Sequence, residues 1–335
     1  MSSIQVLIVL FIVICGRCAF LPVNKTIKGE FIIYWILLII IVTFRPDTLP
    51  DYENYMYSFY YENERYEPLF RIIYLFFQSI TSSHLFLFFT VALFTVSFKI
   101  LAIQKMSVLP VLSIPVWISY ILLFQDMIAI RAALAASIGL WIIYFKCNDK
   151  LGWTIICIVA AVLSHYSALI LIVIPFLSVT KNRKWLYLSV LLITAIIAAT
   201  GFSFTNLLSF TGVEEYDKLM NSYMYKDSTS PFKPQQLLRL GICVSAWIFI
   251  DRININKYVI LLLKTYTIGC VVFFLFWGIA GVAIRLSELF IVTEILVIPL
   301  LALILGKGNI RITKFLPIGI SCIVFGMELI MFSLI

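Results

Sequence analysis

Apolar stretches long enough to cross a lipid bilayer recur along almost the whole chain, and they constrain its fold more than any other feature. Hydrophobic residues make up 62% of the 335 residues and charged residues only 13%, which excludes a soluble globular protein. A membrane-spanning helix needs about 20 apolar residues, and no alternating pattern of the β-barrel type is present. We therefore predict an all-α, polytopic integral membrane protein with about 12 transmembrane helices, forming a single transmembrane domain over residues 1–335.

The basic residues predict how the chain is oriented. Short clusters of Lys and Arg fall on one side of the membrane if the spans alternate, and by the positive-inside rule that side is cytoplasmic. Two long loops, residues 45–82 and 205–236, then face outward and carry most of the acids. The net charge of +8 reflects these orientation signals rather than a nucleic-acid surface. The fourteen basic residues of the first side are Lys25, Lys28, Lys99, Lys105, Lys146, Lys150, Lys181, Arg183, Lys184, Arg252, Lys257, Lys307, Arg311 and Lys314.

The first long loop interleaves charge with aromatic rings. Between residues 45 and 67 six carboxylates face two arginines, and seven tyrosines lie between residues 45 and 78. Aromatic rings stack on sugar faces, and carboxylates accept hydrogen bonds from hydroxyl groups. The composition suits a carbohydrate-binding surface, with an ordinary solvated loop as the alternative.

An interfacial helix is predicted to close this loop. Glu67, Arg71, Tyr74 and Gln78 recur at helical spacing and form one polar stripe, and Pro68 can begin the helix. The remaining residues of this segment are apolar, so the helix should lie in or dip into the outer leaflet.

Ionisable residues within or beside the predicted spans are candidates for function, because charge in a bilayer is costly. Arg131 lies about one turn inside the outer end of its span. Arg285 lies at the outer end of another span with Glu288 one turn on, and His165 lies at an outward turn between two short helices. The structural alternatives are a snorkelling arginine, a helix-end ion pair and a satisfied turn histidine. All four side chains are expected at one level, near the outer interface.

Lys264 and Glu294 lie deeper in their predicted spans. We expect them to pair with each other as a structural contact, because isolated charges within a membrane usually find a partner.

Several arginines and no evident metal ligands indicate how a phosphate-bearing substrate would be held. Guanidinium groups bind phosphate oxygens bidentately and stay charged at any working pH. At the interface they would meet the diphosphate of a lipid whose tail lies in the bilayer, and they would stabilise that diphosphate as a leaving group. No metal site and no cofactor is predicted.

Five segments carry a resemblance to a known family. They are DYENY at 51–55, YEPLF at 66–70, IRAALAASIGL at 130–140, LSHYSALIL at 163–171 and IRLSELFIVTEILVIPLL at 284–301. In this order they resemble the EpsG-type branch of the Wzy polysaccharide polymerases. The resemblance implies a GT-C-like glycosyltransferase of the bacterial inner membrane that polymerises undecaprenyl-diphosphate-linked repeat units of O-antigen, capsule or exopolysaccharide on the periplasmic face. It also implies membrane lipid and a chain-length regulator protein as partners, and no nucleic acid.

Carried onto this chain, the resemblance implies roles for particular residues. Arg131 and Arg285 would bind the diphosphate of the donor chain. Glu67, His165 or Asp51 would orient or deprotonate the attacking hydroxyl of the acceptor, and the three are not ranked. The residues expected to bind substrate are Asp51, Tyr52, Tyr55, Tyr66, Arg71, Tyr74 and Glu288.

Other functions remain open at this point. A flippase for lipid-linked oligosaccharides should place charge along a central path and often shows two related halves. An O-antigen ligase shares the donor chemistry and differs only in its acceptor, whereas a membrane acyltransferase would depend on His165 alone. In one departure from the family pattern no further acid lies near Asp126, so any base from that segment would have to be Asp126 itself.

Overall fold

The structure, a computed structural model, describes residues 3–21, 28–61, 66–204, 230–253 and 256–333. These residues form helices and no strands, which confirms the all-α class. Most of the predicted second loop, residues 205–229, lies outside the described residues. The α-helices are α1 Ser3–Phe20, α2 Lys28–Thr43, α3 Tyr52–Tyr61, α4 Pro68–Ile80, α5 Leu85–Met106, α6 Pro110–Val116, α7 Ile130–Cys147, α8 Leu151–Ser164, α9 Lys184–Ala199, α10 Pro234–Phe249, α11 Lys257–Phe276, α12 Ala280–Ile291, α13 Glu294–Gly306 and α14 Ile310–Ser333.

Within the described residues, five helical segments are long and apolar enough to cross a membrane, or six if α12 and α13 form one bent span. The five are Leu85–Met106, Pro110–Ile128, Ile130–Cys147, Lys257–Phe276 and Ile310–Ile330. Six shorter apolar helices accompany them. These findings support a membrane-embedded protein. A count of twelve spans and a GT-C-like arrangement remain predictions.

The buried segment Pro110–Ile128 begins as an α-helix and continues as a π-helix. Pro115 in α6 has no N–H to give to the carbonyl of Val111, and that carbonyl accepts a bond of 3.4 Å from Cys18 Sγ instead. The next segment, Trp117–Ile128, is a π-helix, in which each N–H bonds the carbonyl five residues back. Nearly every side chain of this segment is buried, and the segment packs against α14, α7 and α2.

One predicted span is broken. The sequence predicts a single helix over residues 285–305, whereas α12 and α13 meet at a bend of 59°. Glu294 begins α13, and its Oε2 accepts a bond of 3.2 Å from Nε of Arg239 in α10. Because of the bend, Glu294 lies at the start of a helix rather than in the middle of one when it contacts Arg239.

Two ends of the bundle can be distinguished by the contacts between connecting segments. At one end Asn148 Nδ2 donates to the Tyr258 hydroxyl at 2.7 Å, and Lys314 Nζ donates to the Ala19 carbonyl at 3.1 Å. We call this the basic end, because most of the basic clusters lie there. At the other end the segments around residues 45–67, 127–131 and 165 meet, and we call it the cap end. The sequence predicts that the cap end faces outward.

Two deep lysines require corrections. Lys99 is not a loop residue: its side chain is 0% exposed and donates to Asp126 Oδ1 at 2.6 Å. Thirteen of the fourteen basic residues therefore remain as orientation signals. The expected pair of Lys264 and Glu294 is also wrong. Lys264 Nζ donates to the carbonyls of Ser178 and Lys181, at 2.6 and 2.8 Å, whereas Glu294 binds a different partner.

The aromatic loop folds into a cap made of α3 and α4. Tyr55 and Phe59 of α3 pack against Phe70 and Tyr74 of α4, and the cluster continues onto Phe88 of α5. The helix α4 begins at Pro68, as the sequence predicts. Its apolar outer face is exposed, which fits a helix lying at the membrane surface.

Candidate functional site

A carboxylate, a guanidinium and an imidazole meet beneath the cap. Arg131 Nη1 donates to Glu67 Oε2 at 2.7 Å, and His165 Nδ1 lies 2.8 Å from Glu67 Oε1. The Arg131 guanidinium also stacks over the Tyr66 ring, with 4.8 Å from Cζ to the ring centroid. Both oxygens of Glu67 are therefore engaged, and the three side chains form one cluster, the Glu67–Arg131–His165 site.

Breaks between helices deliver all three side chains to this point. Glu67 is extended and immediately precedes Pro68, whose ring favours the first position of α4. Arg131 is the second residue of α7, which Ala129 joins to the π-helix that ends at Ile128. His165 is extended between α8 and the 3₁₀ helix Tyr166–Phe176, as the predicted polar turn requires.

The cluster keeps Glu67 ionised. Burial acts to raise the pKa of this carboxyl, but the His165 hydrogen bond and the Arg131 charge outweigh it and lower the pKa to about 2. Burial raises the pKa of the neighbouring Tyr55 to about 12, although Arg131 beside its hydroxyl acts in the opposite direction. Glu67 is thus a charged acceptor that orients its partners, and it is too weak a base to take a proton near neutral pH.

Two nitrogens of the site have no partner in the part of the chain that the structure describes. They are Nε of Arg131 and Nε2 of His165, and both are buried. A buried N–H or ring nitrogen without a hydrogen bond is costly. Such groups are therefore the expected contacts for a ligand.

Sequence reasoning missed Arg45, which lies close to this site. Its Nη1 donates to the Met127 carbonyl at 2.9 Å, and its Cζ lies 4.2 Å from the centroid of the Phe88 ring. Its other two nitrogens, Nε and Nη2, have no partner among the described residues. Burial lowers the pKa of Arg45 to about 10, with Tyr55 beside it acting to raise that pKa. Tyr55 thus lies near two guanidinium groups, Arg45 and Arg131.

Most predicted substrate-binding residues of the cap are occupied by contacts within it. Tyr55 and Tyr74 are buried in its core, and the Tyr74 hydroxyl donates to the Ser58 carbonyl. Tyr66 donates to Ser58 Oγ at 2.6 Å, and Tyr52 bonds His84 Nε2 at 3.0 Å. Sugar binding by these four rings stays a prediction. Among the described residues of the cap, the exposed tyrosine rings are Tyr57, Tyr60 and Tyr61 of α3.

Two charged residues predicted for the site lie apart from it in the structure. Arg71 is exposed on α4, at the edge of the predicted polar stripe rather than beneath the cap. Asp51 is exposed at the start of α3 and accepts a bond of 3.1 Å from Asn54 Nδ2. Neither contributes to the described contacts of the Glu67–Arg131–His165 site.

Glu288 belongs to a second buried cluster. Its Oε1 accepts bonds from the Tyr120 hydroxyl and from Arg239 Nη1, at 2.7 and 3.1 Å, and its Oε2 accepts from Gln125 Nε2 at 3.0 Å. Arg239 was missed, although a lone arginine in an apolar helix is a recognisable signal. Arg285 is exposed on α12, one turn before Glu288. Its convergence with Arg131 stays a prediction.

Asp126 is not a free carboxylate, because both of its oxygens have partners. Its Oδ1 binds Lys99, and its Oδ2 accepts a bond of 2.7 Å from Trp117 Nε1. Both carboxylate oxygens are buried and engaged, so Asp126 is a structural partner of Lys99. These contacts argue against Asp126 as the base from this segment, and that role stays an untested prediction.

An apolar groove of about 560 Å³ begins one turn from Arg131 and runs toward the basic end. On α7 it is lined by Leu134, Ile138, Trp141 and Phe145, which recur every three or four residues and share the helix face of Arg131. The other walls come from α4, α5 and α8, through Leu69, Ile73, Phe94, Phe98, Leu101, Trp153, Ile156, Cys157 and Ala160. The groove thus joins the polar site to an apolar surface. Among the described residues, no group of three or more His, Cys, Asp or Glu side chains could hold a metal ion.

Fold and site define a class of protein: a helical, membrane-embedded protein whose cap covers a buried cluster of carboxylate, guanidinium and imidazole. The model of the EpsG family matches residues 30–334. The chain therefore belongs to the EpsG family, the family of Wzy-like polymerases. No curated protein and no solved structure matches it. Family membership indicates a polysaccharide polymerase-like membrane protein.

Proposed function

We propose that this chain joins undecaprenyl-diphosphate-linked oligosaccharide repeat units into O-antigen or a related surface polysaccharide, at the periplasmic face of a bacterial inner membrane. The observation that carries the proposal is the Glu67–Arg131–His165 site. It combines a group for binding phosphate with a group for accepting a proton, above a groove for a lipid.

The donor would bind through its diphosphate and its lipid. The unpartnered Nε of Arg131 is available to a phosphate oxygen, and Arg45 adds a second nearby guanidinium. The groove along α7 starts one turn from Arg131, so an isoprenoid chain could follow it while the diphosphate stays at the site. Arg285, exposed on α12, would reach the same diphosphate from the other side.

The geometry favours His165 as the base. Its Nδ1 faces the ionised Glu67, which selects the tautomer with a proton on Nδ1. Nε2 then carries a lone pair and has no partner among the described residues. Glu67 orients the imidazole and stabilises its charged form, as a carboxylate does for a catalytic histidine in other enzymes. Asp51, exposed at the start of α3, is not arranged for this role.

One step follows from these roles. A hydroxyl oxygen of the acceptor unit attacks the anomeric carbon of the donor and forms the new glycosidic bond. The bond from that carbon to the phosphate oxygen breaks, and the lipid diphosphate leaves with the electron pair. The hydroxyl proton passes to His165 Nε2, while Arg131 stabilises the negative charge on the leaving group.

The outer face of α3 provides a carbohydrate surface for the growing chain. Tyr57 and Tyr61 lie 4.6 Å apart between ring centroids. With Tyr60, Glu53 and Asn54 they line a shallow depression. Aromatic faces beside carboxylate and amide groups are suited to binding sugar rings.

The test is polymerisation by purified protein supplied with a lipid-linked repeat unit, with and without a chelator. Products longer than one repeat in both conditions would support the proposal. Failure of the wild-type protein to extend the unit would contradict it. In cells, loss of a polymerase leaves single repeats attached to their acceptor, loss of a ligase leaves none, and loss of a flippase traps the units inside.

A further inference from the structure

A second cavity, separate from the groove along α7, lies at the cap end of the bundle between the π-helix, α10, α12 and α14. Its volume is about 270 Å³, and its lining includes no residue of the Glu67–Arg131–His165 site. Its polar wall is formed by Lys233, Gln235, Gln236, Glu288 and Glu328. Its apolar wall includes Tyr120, Phe124, Phe273 and Ile284.

Glu328 is the unusual residue of this cavity. It lies in the apolar helix α14 and is only 1% exposed. Its Oε1 accepts a bond of 3.2 Å from Gln235 Nε2, but its Oε2 has no partner among the residues that the structure describes. A buried carboxylate that served only the fold would be paired, because an unpaired one is costly within a membrane.

The neighbouring Glu288 provides the contrast. Both of its oxygens are engaged, by Tyr120, Arg239 and Gln125. The Arg239 charge is shared between Glu288 and Glu294, at 3.1 and 3.2 Å. Glu328 therefore has an oxygen that accepts no hydrogen bond from the described residues, whereas both oxygens of the other carboxylate already accept at least one.

The composition of the walls indicates the class of ligand. With two carboxylates against the single cation Lys233, the wall is net acidic and disfavours a phosphate, whereas an acceptor oxygen and the glutamine amides can bind hydroxyl groups. The Tyr120 and Phe124 rings are stacked, with centroids 5.3 Å apart and planes 12° from parallel. Together they form an apolar wall beside the groups that can bind hydroxyls. The volume lies just below the roughly 300–1,000 Å³ of sites for drug-sized ligands and suits one ring.

We propose that this cavity binds a pyranose ring of the acceptor repeat unit, with Glu328 Oε2 accepting a hydrogen bond from a ring hydroxyl. The inference rests on the proposed function, because a polymerase must hold an acceptor as well as a donor. The cavity is connected to the donor side through helix packing, since α12, which carries Glu288, packs directly against α7, which carries Arg131.

The test uses the repeat-unit oligosaccharide released by mild acid from the lipid-linked intermediate. This probe has no diphosphate and no lipid, so it can occupy only a carbohydrate site. Its binding to protein in lipid nanodiscs is measured by calorimetry for the wild type, Glu328→Ala and Glu328→Gln. The control is Glu30→Gln, which removes a carboxylate paired with Arg17 near the basic end.

We expect Glu328→Ala to weaken binding at least tenfold, Glu328→Gln to weaken it less because the amide keeps an acceptor oxygen, and Glu30→Gln to leave it unchanged. Gln has nearly the same shape as Glu, so Glu328→Gln should leave the packing of α14 intact. A thermal transition equal to that of the wild type shows that a change in binding does not come from unfolding. Equal binding by wild type and Glu328→Ala, or no binding by the wild type, would overturn the inference.

Parallel polymerisation assays separate this inference from the proposed function. If the wild type polymerises lipid-linked units but the wild type and Glu328→Ala bind the oligosaccharide equally well, the inference fails and the proposed polymerase function stands. If binding depends on Glu328 and no polymer forms, the cavity is a carbohydrate site and the proposed polymerase fails.

Discussion

His165 Nδ1 lies 2.8 Å from Glu67 Oε1, although 98 residues separate the two along the chain. The contact ties the start of the cap helix α4 to the turn between α8 and the following 3₁₀ helix. Nδ1 of His165 is engaged in this contact, whereas Nε2 has no partner among the described residues and is left for the proposed proton transfer. Because Glu67 also holds Arg131, a single carboxylate sets the positions of the proposed base and of the phosphate-binding group.

His165→Ala should reduce polymerisation by roughly 10²–10⁴-fold, the usual contribution of a general base. The rate is measured with purified protein at saturating lipid-linked substrate. His84→Ala is the matched control, because His84 bonds Tyr52 and Tyr60 within the cap and lies outside the site. A His165→Ala enzyme as fast as His84→Ala would exclude His165 as the base.

Arg131→Ala should reduce the rate by about 10²–10³-fold, the range seen when one group stabilising a developing negative charge is removed. Arg131→Lys should recover little, because an ammonium group lacks the planar fork that binds two oxygens at once. The measurement is kcat/KM for the lipid-linked donor. Arg311→Ala, which removes an exposed arginine at the basic end, serves as the control. Full activity of Arg131→Lys would argue against bidentate binding.

Glu67 should make the protein sensitive to acid. Its pKa is lowered from 4.5 to about 2 in the folded state. The stabilisation it provides is therefore complete above about pH 4.5 and declines as the pH falls toward 2. Glu67→Gln cannot titrate and loses this contribution at every pH.

The measurement is the thermal transition of both proteins in detergent between about pH 6 and pH 3. The advantage of the wild type over Glu67→Gln should shrink as the pH falls. An advantage that stays constant or grows over this range would contradict the assignment.

Breaking the pair of Lys99 and Asp126 should be strongly destabilising. Either Lys99→Met or Asp126→Asn leaves one buried charge uncompensated, at a cost of about 3–5 kcal/mol. The double variant Lys99→Met/Asp126→Leu should recover much of the stability, because it removes both charges together. Thermal stability after purification is the readout. A double variant that is stable and still polymerises would confirm that Asp126 is structural, and a stable but inactive one would give it a catalytic part.

The groove along α7 can be tested by filling it. Ile156 lines the groove and is 55% exposed, whereas its neighbour Ile155 is 51% exposed and does not line it. Ile156→Trp should raise KM for a donor with a full-length isoprenoid and leave KM for a short-chain analogue unchanged. Ile155→Trp should change neither value. Equal effects of the two tryptophans would remove the groove from the donor site.

Part of the site could be predicted because the alternation of membrane spans indicates which helix ends lie at the same depth in the membrane. Glu67, Arg131 and His165 each fall at a predicted outer helix end in the sequence, and the structure brings them together at the cap end. Spacing along the sequence does not determine which side chains of different helices contact each other in the folded bundle. For that reason Lys264 and Glu294 were paired wrongly, and Glu288 was expected beside Arg285 rather than Arg239.

The residues that were missed share one property. Arg45, Arg239 and Glu328 are single charged residues within or beside apolar helices, and each is buried. Such isolated charges are a signal for function or pairing. Their partners come from helices far away in the chain, however, so hydropathy alone could not assign them a role.

The π-helix Trp117–Ile128 determines which of its side chains can act together. Tyr120 and Gln125 both bind Glu288, although five residues of an α-helix would turn them roughly 140° apart. Winding with bonds five residues apart brings them onto a common side. The segment therefore cannot adopt α-helical winding at its present length without rotating one of the two side chains away from Glu288. Removing one residue between them would instead leave a spacing of four, which an α-helix places only roughly 40° apart.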